Sequence, residues 1–144
     1  MPCTIDTDVD RALAGSSSSV QDNPFPKETP MKYMMLIAGD ESRWADASEA
    51  GRDGYRRVAE WWEVEAKAGR IVEGHELEPS STATTVRLDA GGNATVTDGP
   101  FVEGKEMVGG YAILEVADLD AALAVASSWP GADTLEIRPI VQRA

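Results

Sequence analysis

Gly109-Gly110-Tyr111-Ala112-Ile113-Leu114-Glu115-Val116-Ala117-Asp118-Leu119-Asp120-Ala121-Ala122-Leu123-Ala124-Val125-Ala126 is the stretch whose reading decides the fold. A glycine pair leads into a short apolar run, the pattern of a strand with a buried centre. Asp118 is then well placed to cap a helix, and Leu119, Ala122, Leu123 and Ala126 fall on one helical stripe. Trp129-Pro130-Gly131 terminates that helix.

Working outward, Leu135-Glu136-Ile137-Arg138-Pro139-Ile140 alternates like a strand, with Leu135 and Ile137 on one face and Glu136 and Arg138 on the other. Pro139 has no N–H to give a ladder, so it belongs at an edge or a strand end. Upstream, Tyr33-Met34-Met35-Leu36-Ile37 reads as a central strand buried on both faces. Between Ala50 and Gly69 the spacing predicts a helix with Tyr55, Val58, Ala59, Trp62 and Ala66 as its apolar stripe and Gly69 as its stop. Trp61 lies about 100° around the helix from Trp62; it packs either under the loop before the helix or in a subunit interface. Ile71-Val72-Glu73-Gly74 opens a strand that frays through His75 to Pro79. Thr84 to Leu88 and Ala94 to Thr97 then form a hairpin around Ala90-Gly91-Gly92-Asn93. Strand, helix, strand pair, strand, helix, strand is an elaborated split βαβ order. Both helices cover one face of such a sheet, and pairing with a second copy is the simplest cover for the other.

Composition limits the function classes. The chain has 144 residues, 42% hydrophobic and 26% charged, which suits one domain with an ordinary core. Its 25 acidic and 13 basic side chains leave a net charge of −12. That surface repels phosphate backbones and anionic headgroups, so neither nucleic acid nor a membrane surface is an expected partner. Cys3 is the sole cysteine, which excludes an intrachain disulfide and a thiolate metal cluster from one chain. No run is long enough to cross a bilayer and no secretory leader is visible, so a cytoplasmic location is expected. Residues 1–30, with Ser16 to Ser19 and Asn23-Pro24-Phe25-Pro26, have the composition of a flexible extension ahead of a domain over 31–144.

Across Met31 to Ile140 the sequence resembles the YCII-related family, in its DGPF branch. The match rests on Val96-Thr97-Asp98-Gly99-Pro100-Phe101-Val102-Glu103-Gly104-Lys105-Glu106 followed by Gly109-Gly110-Tyr111. Lys32-Tyr33-Met34, Pro79, Thr84-Thr85-Val86-Arg87, Asp118-Leu119-Asp120-Ala121-Ala122 and Glu136-Ile137-Arg138-Pro139-Ile140 add to it. The resemblance implies an α+β, ferredoxin-like antiparallel sheet with two helices on one face, forming a dimeric α/β barrel with a cleft near the DGPF turn in each protomer. It also implies suspected His–Asp enzyme chemistry and association with extracytoplasmic-function sigma factors. The sequence departs from its better-known relatives in having no histidine on the first helix; His75 is its sole imidazole.

Asp98, at the front of a Gly-Pro turn, either stiffens the loop through backbone N–H bonds or is aimed by that stiffness as a general base. His75, with an unperturbed pKa of ~6.5, is its candidate proton partner or else a solvated strand-end residue. Lys105 and Arg138 are candidate anion contacts; Tyr111, Phe101 and Glu103 complete the set expected to meet a ligand. Glu103, Lys105 and Glu106 also read as a solvated run, Arg138 as an ion pair with Glu136, and Tyr111 as a core tyrosine. Neither phosphate-loop spacing nor a metal-ligand cluster is present, so no cofactor is expected. Two functions remain: an isomerase- or lyase-like acid–base protein acting on a small polar or anionic metabolite, or a non-catalytic interaction protein, an accessory to a sigma factor.

Overall fold

A computed structural model describes residues 30–143. The expected extension therefore lies, Pro30 apart, outside the described residues. Strand β1 (Met31–Gly39) is followed by a short helix α1 (Glu41–Trp44) and a long helix α2 (Glu49–Lys67). Next come β2 (Ile71–Glu76), a 3₁₀ turn at Ser80–Thr82, β3 (Thr84–Leu88), β4 (Ala94–Asp98), β5 (Met107–Val116), α3 (Leu119–Ser127) and β6 (Thr134–Pro139).

The main sheet has the order β2-β5-β1-β6, and β3 pairs with β4 in a separate two-stranded sheet. Both β1 and β2 run antiparallel to β5, so they are parallel to each other with β5 inserted between them. This is the split βαβ arrangement, and the α+β, ferredoxin-like class expected from the sequence is the one observed. β6 is an edge strand that ends on Pro139, where a missing N–H costs no ladder bond.

One face of the sheet carries the core. Tyr33, Met35 and Ile37 of β1 and Ala112, Leu114 and Val116 of β5 are buried against Trp61 of α2 and Ala122 and Val125 of α3. The intervening Met34, Leu36, Tyr111 and Ile113 are only half-buried. Burial of β1 on both faces, expected from its continuous apolar run, is thus corrected to burial on one, because the helices lie on the same side.

Local chemistry starts and stops the helices as the sequence predicts. Asp118 accepts from the Ala121 N–H at 2.9 Å at the start of α3. At the end of α2, Gly69 takes φ 82°. Its N–H reaches the Ala66 carbonyl, and the Arg70 N–H reaches that of Glu65, each at 3.0 Å, which is the Schellman closure. Arg70 then holds the buried Glu65 carboxylate through Nε at 2.5 Å.

Trp61 adopts neither expected environment: it is buried within the protomer, with Nε1 donating to Ser128 Oγ at 2.7 Å and its ring edge-on to Trp129 at 5.0 Å. It fastens α2 to the end of α3. Leu114 is fully buried, so Leu114→Ala should cost about 2–5 kcal/mol in denaturant unfolding. Ile113→Ala should cost much less, and an equal cost there would mean that the helix-free face is covered as well.

Candidate functional site

Of the stripe Tyr55, Val58, Ala59, Trp62 and Ala66, read from sequence as the core face of α2, Ala66 is exposed, Trp62 is half-buried against the core, and the first four wall a cleft of about 990 Å³ between that helix and the sheet. The core contact is made a step round the helix by Trp61 and Glu65. Ahead of them α2 stands open: Tyr55 is 63% exposed. The floor is Ile37 with Gly74, Gly109 and Gly110, and Trp44 and Trp129 close the sides.

Glycine makes this geometry possible. A Cβ on Gly74 would collide with the Trp62 ring, and one on Gly39 or Gly109 would collide with the Trp44 ring. The indoles therefore lie directly on backbone, a close approach that other residues forbid.

One end of the cleft is closed by Asp133, whose side chain is 4% exposed. Its Oδ1 accepts from Arg43 Nη2 at 2.9 Å and Trp44 Nε1 at 3.0 Å, and its Oδ2 accepts from Trp129 Nε1 at 2.8 Å. Arg43 also donates to the Ala132 carbonyl at 3.1 Å. One carboxylate thus ties α1 to the loop between α3 and β6. Nearby, Glu41 receives the Ser80 N–H at 2.7 Å and its hydroxyl at 2.6 Å, fixing the 3₁₀ turn. On the other wall the Tyr55 hydroxyl donates to Glu76 Oε1 at 3.0 Å. That bond and the adjacent negative charge raise the Tyr55 pKa above its ordinary value.

The residues singled out from the sequence are distributed differently. Asp98 is exposed at the end of β4, opposite Thr84 in the hairpin, and no hydrogen bond or ion pair joins it to His75 among the described residues. The turn itself is stiffened by Gly99, at φ 99°, whose N–H reaches the Ala83 carbonyl at 2.7 Å. Phe101 is 73% exposed, and its carbonyl accepts from Arg87 at 3.0 Å. Glu103 is also exposed.

His75 lines the cleft, but Gly74 faces Trp62, so strand alternation sends the His75 ring to the opposite, helix-free face. There it sits 5.8 Å from Tyr111, its cross-strand partner. Tyr111 donates to Glu73 at 3.1 Å, and desolvation together with that carboxylate raises its pKa. Arg138 lies 3.9 Å from Glu136, both exposed. Lys105 lines a shallower recess of about 580 Å³ with Asp40, Arg43 and Glu106. Arg43 borders both hollows, so the loop after the DGPF turn reaches the rim of the cleft through it.

Sequence reasoning missed Asp133, Arg43, Trp44 and Glu76. Trp44 left a signal, a large aromatic in an otherwise polar loop. Asp133 left none, because Arg43 and Trp44 are brought to it and its neighbour Trp129 only by the fold. No grouping of His, Cys, Asp and Glu suited to a metal occurs among the described residues. No described helix is long and apolar enough to cross a membrane.

A split βαβ sheet with a cleft under its long helix defines a ferredoxin-like class that hosts many activities. Within it, the family model of the YCII-related domain matches residues 31–143, and the chain belongs to that family. The chain is also similar to an uncharacterised protein of Rhizobium meliloti (strain 1021), 32% identical over 115 residues, covering 76% of this chain and 92% of the relative.

Asp133→Ala should leave the half-buried Trp129 indole and the more exposed Arg43 and Trp44 donors without their acceptor, costing about 1 kcal/mol in chemical unfolding and altering the tryptophan emission. Asp133→Asn, which keeps one acceptor, should lose less. Equal stability of Asp133→Ala and the wild type would rule out the clamp.

Proposed function

We propose that this YCII-related protein binds a small metabolite in the cleft beneath α2 and that any acid–base step there involves the Glu76–Tyr55 couple. The observation that carries this reading is the apolar stripe of α2 standing open over a glycine floor. Apolar groups left facing a concavity cost free energy that an occupant recovers. The cleft volume, about 990 Å³, is at the upper end of the usual range for small-molecule sites, roughly 300–1,000 Å³. Glu76 and Tyr55 supply a carboxylate and a hydroxyl at its wall, the residue types that proton transfer needs. Lys105 would then act from the rim, through the recess that Arg43 borders. The Asp98-Gly99-Pro100-Phe101 tetrapeptide supports placement in the DGPF branch.

The homodimer implied by the resemblance belongs to the same proposal. It is supported by the helix-free face, where Met34, Leu36 and Ile113 are half-buried and, among the described residues, no helix covers them. A second copy laid on this face would bury them and enclose His75 and Tyr111. Leu36→Glu should then give a monomer in sedimentation equilibrium; a monomeric wild type would remove this part of the reading.

Gly54 permits a clean test of the cleft. It lines the cavity from within α2, and a Cβ there meets nothing within 4 Å. Gly54→Leu should stabilise the helix by about 1 kcal/mol while filling the space a ligand would use. In a thermal-shift screen of metabolites, compounds that raise the wild-type Tm should lose that effect in Gly54→Leu. Compounds that stabilise both equally would place binding elsewhere, and a screen without any stabilising compound would count against a small-molecule role.

A further inference from the structure

The charges around the cleft point to the class of molecule it takes, an inference that rests on the small-molecule reading above. Five carboxylates line it, Glu41, Asp46, Glu63, Glu76 and Asp133, against two guanidinium groups, Arg43 and Arg57. Arg43 is tied to a buried carboxylate, while Arg57 is exposed beside Asp53, which it shares with Arg56. Arg43 holds Asp133 at 2.9 Å, and Arg57 lies 3.4 Å from Asp53, one turn back on α2.

The acidic side is not neutralised in the same way. Glu41 accepts from Ser80, Asp46 from the Ser48 N–H at 2.9 Å, and Glu76 from the Tyr55 hydroxyl, all uncharged donors. Glu63 has only Lys67 at 4.0 Å, with both side chains well exposed. The cleft therefore carries a net negative potential, which its low-dielectric walls focus and the −12 charge of the chain reinforces.

Aromatic walls act in the same direction. Trp44, Tyr55, Trp62 and Trp129 border the cavity, and the negative face of an indole or phenol ring attracts a cation. Among the described residues, an anion entering here would meet Arg43, already held by Asp133, and the exposed Arg57, against five carboxylates. The two candidate anion contacts lie elsewhere: Lys105 in the neighbouring recess and Arg138 on the far edge of the sheet.

We propose that the cleft beneath α2 takes a small organic cation, an ammonium compound with an apolar body, its charge at Glu76 and its alkyl groups against the aromatic walls. Of the polar or anionic metabolite expected from the sequence, this sets the anionic choice aside for one of opposite sign.

The test uses three probes of matched shape: choline, its uncharged carbon isostere dimethylbutanol, and the anion dimethylbutanoate. Each is titrated into the isotope-labelled full chain while the indole N–H resonances are followed by NMR. Choline should shift Trp44, Trp62 and Trp129 and bind roughly fivefold or more tightly than the isostere. Added salt should weaken choline and leave the isostere unchanged. Glu76→Gln, which keeps an acceptor for Tyr55, should narrow the gap between the two. If the isostere binds as tightly as choline, or the anion more tightly, the cation proposal is wrong while the cleft remains a binding site. If none of the three moves those indoles while Trp61 and the rest of the spectrum stay unchanged, the cleft reading fails and the cation proposal fails with it.

Discussion

Tryptophan laid directly on glycine backbone is the constraint on which this structure depends. Trp62 can reach the sheet only because Gly74 offers no Cβ, and Trp44 only because Gly39 and Gly109 offer none. A side chain at any of these positions would hold the ring away by more than a close-packed interior can absorb. These contacts fix how α1 and the second half of α2 sit over the sheet. They also leave the first half of α2 unsupported, and the cleft is the space that results.

The remaining contacts hold that space open. Trp61 anchors α2 to the end of α3 through Ser128 and Trp129, and the Schellman turn at Gly69 fixes where the helix gives way to β2. Asp133 draws two indoles and a guanidinium to one carboxylate and so sets the far wall. A buried carboxylate is costly unless each oxygen is satisfied, and here both are. The same pairing uses up Arg43, so the electrostatic character of the cleft follows from its architecture: the group that shapes the wall also cancels its nearest positive charge.

The amphipathic stripe of α2 has a further meaning in this light. A helix that buried Tyr55, Val58, Ala59 and Trp62 would be held by ordinary core packing. This one is held by Trp61, by Trp62 on Gly74 and by the Glu65–Arg70 pair, and the rest of its apolar stripe, Tyr55, Val58 and Ala59, faces a cavity. Periodicity reports that a face is apolar, not whether protein or ligand covers it. The helix-free face of the sheet poses the same question with a different occupant in view.

The amino-acid sequence alone determined the order of the strands, the two main helices α2 and α3, the hairpin, the Asp118 cap, the Gly69 stop and the terminal place of Pro139, and left α1 as a polar loop. Each of these depends on residues near one another in the chain, through spacing, capping and backbone freedom. Only the tertiary structure decided that β1 is covered on one face, that Trp61 is buried in the core while Trp62 is half-buried against it, and that the His75 ring faces the helix-free side of the sheet. It alone brought Arg43 and Trp44 to Asp133 and its neighbour Trp129 from the opposite end of the domain, and set Glu76 beside Tyr55. Those contacts span long stretches of sequence, and no local pattern encodes which distant side chain will stand on the other side of a folded space.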